Sequence, residues 1–362
     1  MLREGTHRVA YFAPKPDSGS FRYRCYNTSQ ALNSHSTEVS ASYFYASDLA
    51  HLPDLSEYAD SLVVFRTPYD TDVHRVITQF DRSNKKTYFD IDDLVFDVAF
   101  APLVTSNLNY KLWGKDIDQW FAFIANIGAS MKLTQHVITT NSYIRDRVVD
   151  FSGLPVSVIP NFLNEEQLKA SESARAEKVR QQSMQGISLG YFSGSHSHAK
   201  DFAVVAPALA EFLTSSPASR LVILGHLDLP PDLDPVKHQI TRQDFVDFIE
   251  LQRAVASVDL NLVPLQMSPF TFSKSELKYF EAAVVDTITM ASPTPLFSSL
   301  IKDGHNGFIA TAGQWTQKLH KFAQLTSSAR SSLELTAREH ALGRYSPSVV
   351  SKDLESLFLE NK

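Results

Sequence analysis

Residues 273–281 read Ser-Lys-Ser-Glu-Leu-Lys-Tyr-Phe-Glu. Lys274, Leu277, Lys278 and Glu281 recur at i, i+3, i+4 and i+7, so on a helix they share one face. Two lysines four apart repel unless something negative lies between or above them. A diphosphate would do that, and Glu281, two turns in, can accept hydrogen bonds from ribose hydroxyls. Ser273 with Glu276 fits the Ser-x-x-Glu capping box at a helix start. The free amides there, with Ser275 among them, and the positive end of the helix dipole make an anion site. The plainer reading is an amphipathic helix with solvated lysines and a Glu281–Lys278 pair.

A second phosphate element reads Gly190-Tyr-Phe-Ser-Gly-Ser-His-Ser-His-Ala-Lys-Asp-Phe. It is strand, glycine turn, then helix, with Gly194 in the turn and His196, His198 and Lys200 following it, a geometry that suits a phosphate at the helix start. The histidine pair invites a metal reading, but no third ligand follows nearby. The plainer alternative is a polar surface turn. Nucleobase recognition belongs near Leu224-Gly225-His226 and Ile240-Thr241-Arg242, at two strand ends. Arg242 reads equally well as an exposed helix-start residue.

The first half offers two further constellations. In Pro16-Asp-Ser-Gly-Ser-Phe-Arg-Tyr-Arg, Gly19 permits close backbone approach, and Arg22 and Arg24 can clamp a phosphate or a carboxylate. Being two apart, the arginines point different ways, so one of them is expected to face a cleft. In Tyr88-Phe-Asp-Ile-Asp-Asp-Leu-Val-Phe-Asp, Asp90 and Asp92 form a literal D-x-D, the pattern of a divalent-cation site. Asp92 or Asp93 can instead orient acceptor hydroxyls or act as a base, or simply cap the strand and pair with Lys85 or Lys86. Trp113, Trp120 and Phe121 read as core, with a sugar-stacking or lipid-facing patch as the alternative.

These groups must be held by an α/β chain. Strand-like runs at 8–13, 37–44, 61–66, 87–91, 137–140 and 156–159 alternate with helical patterns at 21–33, 72–83, within 108–130, and at 142–150. A second series places strands at 188–192, 220–224, 237–240, 259–263, 287–290 and 307–310. Its helices fall at 199–214, 243–256, 274–285, 314–326 and 328–342, with a terminal helix at 347–359. Between the series, 165–185 is polar and without a core-forming run. The pattern predicts two Rossmann-like domains facing a central cleft, 1–163 and 187–345, joined by a linker at 164–186. The terminal segment 346–362 is free to pack back on the first domain. In such sheets ligands bind beyond the carboxyl ends of the strands.

The gross numbers agree. At 362 residues and 43% hydrophobic content the chain can bury two cores. A net charge of −6 argues against a general nucleic-acid binder. The single cysteine, Cys25, allows neither an internal disulfide nor a cysteine metal cage. The N-terminus reads as a first strand rather than a signal peptide, and no run is long enough to span a bilayer. The expected location is cytoplasmic, with room for contact at the inner membrane face.

The run of strand, apolar turn, Ile301-Lys-Asp-Gly-His-Asn-Gly-Phe and a helix bearing Trp315, following the 273–283 segment, resembles the C-terminal half of retaining GT-B glycosyltransferases of family 4. The glycine loop resembles the variant found in polysaccharide-assembly transferases. The resemblance implies a nucleotide diphosphate-sugar donor, a glycan or lipid-linked acceptor, retention of configuration, and no metal or other cofactor. It implies ribose binding by Glu281, diphosphate stabilisation by Lys200, Lys274 and Lys278, and an acceptor-side role for Asp92. Lys200, Lys278 and Asp92 thereby become the expected catalytic groups. Two positions depart from the family pattern: Ser273 stands where it has a glutamate, and Ser195 where it has an arginine, in whose place His196 or His198 can donate. Two rivals follow, a non-catalytic nucleotide-sugar or glycan-binding subunit and a nucleotide-sugar epimerase.

Overall fold

The computed structural model describes residues 3–16, 18–52, 54–107, 112–181, 186–194 and 199–360, without the side chains of 179–181. The first sheet comprises β1 (His7–Ala13), β2 (Val39–Tyr45), β3 (Ser61–Phe65), β4 (Lys86–Ile91), β5 (His136–Thr139) and β6 (Val156–Val158), in the order β2-β1-β3-β4-β5-β6. The second comprises β7 (Ser188–Ser193), β8 (Arg220–Gly225), β9 (Ile240–Gln243), β10 (Leu260–Val263), β11 (Ile288–Ala291) and β12 (Phe308–Ile309), in the order β12-β11-β10-β7-β8-β9. Every pairing is parallel. The central strands are continuously apolar because helices cover both faces. Val9, Ala10, Ala13, Leu62, Val63 and Val64 are fully buried, for example.

The strand order dictates where a ligand fits. It reverses between β1 and β3 in the first sheet, and between β7 and β10 in the second. Diverging connections leave a crevice at each reversal, at the carboxyl ends of the strands. The loops after β1, β7 and β10 are the segments that carry most of the candidate residues.

The elements differ from the sequence reading where proline and glycine intervene. The stretch expected as a strand at 237–240 is the end of a 3-10 segment, Pro231–Gln239, and β9 begins only at Ile240. Pro231 and Pro235 lack the N–H groups a ladder needs. The helical pattern at 199–214 is two helices, Ala199–Phe202 and Ala206–Ser215, the second with Pro207 in its first turn. The long helix of the first half is Lys115–Lys132, entered through Gly114 at φ 42°. Its fully buried residues begin at Ile124. Trp113 is 71% exposed and Phe121 36%, so they lie outside the core in which they were expected, while half-buried Trp120 packs on that core as expected and meets Phe123 edge-on.

The polar segment after Asn164 forms a helix, Glu165–Gln181. It buries small and polar side chains, Gln167, Ser171 and Ala174, and packs against the helix Phe248–Ala256, with Ser171 Oγ donating to Gln252 Oε1 at 2.9 Å. That explains why no apolar run announces it. The chain then returns: the helix Pro347–Glu360 packs on Asn27–His35 of the first half, and Phe358 meets Tyr88 edge-on at 5.4 Å. The two crossings touch where Leu163 N donates to Tyr345 O at 2.9 Å. One apolar cluster runs through both halves, joining Tyr11, Cys25, Phe280, Tyr345 and Leu354. Phe270, from the loop region after β10, sits in the other core of the first half. Among the described residues no helix is long and apolar enough to cross a membrane.

Candidate functional site

The β7–β10 crevice holds a compact charged cluster. Glu281, on the helix Leu277–Ala283, is 8% exposed and accepts a hydrogen bond from the Tyr23 hydroxyl across the cleft. Burial pushes its carboxyl up to about 7, opposed by the Tyr23 hydrogen bond and by Lys278 and Arg22. Lys278 lies one turn earlier on the same face, its Nζ 4.8 Å from the Tyr191 ring centroid. Burial pulls it down to about 8, with Asp201 and Glu281 supporting its charge. Asp201 is 2% exposed and accepts from Gln266 N at 3.1 Å. An ammonium in this setting, at the crevice where two loops converge, is a ready counter-charge for a diphosphate.

Other residues are placed differently from the expectation. The Ser273–Glu276 capping box does not form. The helix starts at Leu277, three residues later than expected, and a short helix, Pro269–Phe272, capped by Ser268, precedes it. Ser273 Oγ donates to Phe270 O at 2.7 Å and to Asp93 Oδ1 at 3.2 Å, while its carbonyl accepts from Asn141 Nδ2 at 3.1 Å. Glu276 is 2% exposed with its Oε2 unpartnered among the described residues, and burial pushes it up to about 7. Ser275 is half-buried in the turn between the helices.

Lying ahead of the helix, Lys274 does not share the Lys278–Glu281 face. Its Nζ meets Asp93 Oδ2 at 3.3 Å and sits 3.9 Å from the Phe270 ring centroid. Lys274 and Arg66 hold the Asp93 carboxyl below its ordinary value against the cost of burial. Asp92 pairs with Arg66 Nη1 at 3.0 Å. Neither acid is paired with Lys85, which serves Asp60 at 3.7 Å.

Gly194 is exposed with open space where a Cβ would stand. His196 and His198 lie outside the described residues. Lys200 is exposed and donates to Ser106 O at 2.6 Å, so it bridges the cleft instead of joining Lys278. Arg242 is exposed and donates to Leu227 O at 2.7 Å, tying down the loop after β8. Gly225 there has φ 88°, and a Cβ would stand 2.1 Å from Ser193 O, so only glycine fits.

In the first half, Gly19 has open space around it. Arg22 lies 4.0 Å from the Phe248 ring centroid. Arg24 is 2% exposed and bonds Asp90 at 2.8 and 3.1 Å, with Ile159 O at 2.7 Å. Arg24 is therefore a buried structural partner, not a phosphate clamp, and it occupies the first acid of the D-x-D.

Three contributors went unread in the sequence. Tyr23 was hidden between two arginines. Asp201, two residues before Ala203, was readable only as a helix-start acid. Phe245, 60% exposed and stacked on His226 at 6.1 Å and 10°, follows the end of β9 and offers a face to a base.

The charged cluster predicts a narrow pH window for an anionic nucleotide. Glu281 accepts from hydroxyls best when ionised, which holds above about 7, and Lys278 attracts a diphosphate only while protonated, below about 8. Nucleoside diphosphate affinity, measured calorimetrically from pH 6 to 9, should rise on the acid side through Glu281 and fall on the alkaline side through Lys278. A flat profile would contradict the pairing.

Neither a protein-family model nor a curated protein matches the sequence. Solved structures do match. Anabaena HepE, in complex with UDP and glucose, superposes with a TM-score of 0.64 at 13% identity, over 98% of this chain and 100% of that one. Sucrose-phosphate synthase from Thermosynechococcus elongatus gives 0.65 at 12% identity, over 98% and 99%. A glycosyltransferase from Rickettsia africae gives 0.66 at 12%, over 99% and 100%. With its two parallel sheets and their strand orders, the chain has the GT-B fold: two Rossmann-like domains facing a cleft.

Proposed function

We propose that this chain is a retaining glycosyltransferase that moves a sugar from a nucleotide diphosphate donor to a glycan or lipid-linked acceptor, in bacterial surface polysaccharide synthesis. The observation that carries the reading is the Lys278–Glu281–Asp201 cluster at the β7–β10 switch crevice. HepE structures hold UDP and UDP-glucose, which favours a uridine donor here. We take 1–163 as the acceptor domain, 187–345 as the donor domain and 164–186 as the connection.

In this reading Glu281 accepts from the ribose hydroxyls and Lys278 neutralises the diphosphate. Gly194, Ser275 and Lys274 complete the anion site, and Lys200 joins it when the cleft rearranges around donor. Phe245 and the Gly225–Arg242 region flank the base. As the sugar–oxygen bond breaks, negative charge grows on the departing diphosphate, and a fixed ammonium stabilises that charge more than the ground state. The departing phosphate oxygen takes the proton from the incoming hydroxyl on the same face of the sugar, so configuration is retained. Asp92, Asp93 and Arg22 line the acceptor side. No metal or other cofactor is needed, because lysines and amides supply the positive charge.

Ser273 supports the second reading, a nucleotide-sugar-binding subunit, since its hydroxyl is already bonded to Phe270 and Asp93. One experiment separates the two. UDP-, GDP- and dTDP-sugars are screened for thermal stabilisation, where ligand at a hundred times Kd contributes about 2.7 kcal/mol. The stabilising donor is then offered with glycan acceptors. Stabilisation with transfer supports the enzyme, stabilisation without transfer supports the subunit, and no stabilisation by any donor removes both.

A further inference from the structure

Residues 22–26 form a π-helical turn, a geometry found frequently at functional sites. It sends three consecutive side chains to three different elements. Arg22 goes to Phe248, Arg24 to Asp90 and Tyr23 to Glu281. The Tyr23 ring also packs edge-on against Phe280 at 6.3 Å.

Tyr23 ties Glu281 to a buried hydrogen-bonded network that branches at Gln167, which donates to both sides. Asn27 Nδ2 donates to Phe162 O at 2.7 Å, and Asn164 Nδ2 donates to Asn27 Oδ1 at 3.0 Å. Asn164 Oδ1 accepts from Gln167 N at 2.7 Å, which fixes the start of the connecting helix. Gln167 Nε2 donates to the Tyr23 hydroxyl at 3.0 Å, and that hydroxyl donates to Glu281 Oε1. Asn27, Asn164 and Gln167 are 1%, 0% and 0% exposed. With Gln167 supplying the phenol's acceptor need, its proton is committed to Glu281. Asn164 N also donates to Gln167 Oε1 at 3.3 Å, so the bonds through the Gln167 amide and the Tyr23 hydroxyl to Glu281 run head to tail, an arrangement whose bonds strengthen one another in a low-dielectric interior.

We propose that Tyr23, oriented by Gln167, is a positioning residue of the donor site: by occupying Oε1 it fixes the Glu281 carboxylate so that Oε2 meets the ribose hydroxyls. A residue of the first domain thereby takes part in reading the nucleotide bound to the second. The inference rests on the ribose role proposed for Glu281. The charged and titratable groups facing Glu281 are Lys278 on its own helix and Arg22 and Tyr23 on the π turn, with neutral Gln167 behind Tyr23.

The test compares a ribonucleotide with its sugar-deoxygenated counterpart. UDP and 2′,3′-dideoxyuridine diphosphate are titrated calorimetrically into the full chain, and GDP and ADP with their counterparts if either binds more tightly. Wild type should prefer the ribonucleotide by about ten- to a hundredfold, as befits hydrogen bonds to a charged group. Tyr23→Phe keeps the ring on Phe280 and should lower that preference by at least about fivefold, leaving the dideoxy affinity unchanged. Gln167→Met, which leaves Tyr23 and Glu281 in place, should lower it in the same direction. The preference of wild type should fall away below about pH 7, and in Tyr23→Phe that break should move upward, because a hydrogen bond favouring the ionised carboxylate is gone. Equal weakening of both ligands in Tyr23→Phe would reduce the tyrosine to a packing role. An undiminished preference would overturn the proposal while sparing the donor site. No preference in wild type would overturn the ribose role of Glu281 itself, and the proposal with it.

Discussion

Lys278→Met is expected to lower kcat/KM for sugar transfer by about a hundred- to a thousandfold, the usual cost of removing one fixed donor aimed at developing negative charge. Methionine keeps most of the aliphatic stem and removes the ammonium that lies over the Tyr191 ring, so the loss reports on the charge. The environment is what makes it large. Burial pulls the ionisation of the ammonium down to about 8, so in the empty site it carries its charge at a cost. A diphosphate removes that cost, and more so when its leaving oxygen gains charge. The effect should therefore fall on kcat as well as on donor KM. A loss below tenfold, measured by initial rates with the donor that binds, would move the leaving-group role to another cation.

Arg24→Met should destabilise the chain by about 3–5 kcal/mol, because it strands a buried carboxylate. Both side chains of the Arg24–Asp90 pair are 2% exposed, with contacts of 2.8 and 3.1 Å. The guanidinium also holds Ile159 O at 2.7 Å, so the π turn, β4 and the end of the first domain are tied to one group. Pairing the substitution with Asp90→Leu should return most of the stability, since an apolar pair of similar volume removes the desolvation cost. Urea midpoints of the wild type, the single and the double variant check this. If Arg24→Met unfolded at the wild-type midpoint, the pair would be incidental to the fold.

What the sequence disclosed and what it hid follow one physical line. Buried parallel strands are near-continuous apolar runs, so most of the ladder was legible to within a residue or two. The segment 237–240 failed because prolines upstream delay the ladder to Ile240. The connecting helix was unreadable as a packed element because it buries alanine, serine and glutamine, whose partners lie far off in sequence. At the site, the Lys278–Glu281 face was legible because helical spacing is local. Lys274 was misplaced with it because Pro269, opening a separate short helix, moves the true start to Leu277. The opposite domain supplies what local pattern cannot encode: Tyr23 for Glu281, and Asp93 for Lys274. A π turn has no sequence signature here, so nothing marked Tyr23 between its two arginines.

The contact between Leu163 and Tyr345 has a mechanical consequence. The polypeptide passes between the two sheets twice, once on the way out before Glu165 and once on the way back before Pro347, and the two segments of that bridge meet in this hydrogen bond. Two covalent links joined at one point act as a scissor pivot: they admit rotation about it and resist sliding or unscrewing. Gln167 lies four residues along from that pivot, on a short lever arm, so its bond to Tyr23 is displaced little by a rotation that swings more distant parts of the cleft apart. An opening of the cleft about that joint would leave the Gln167–Tyr23 bond close to its place.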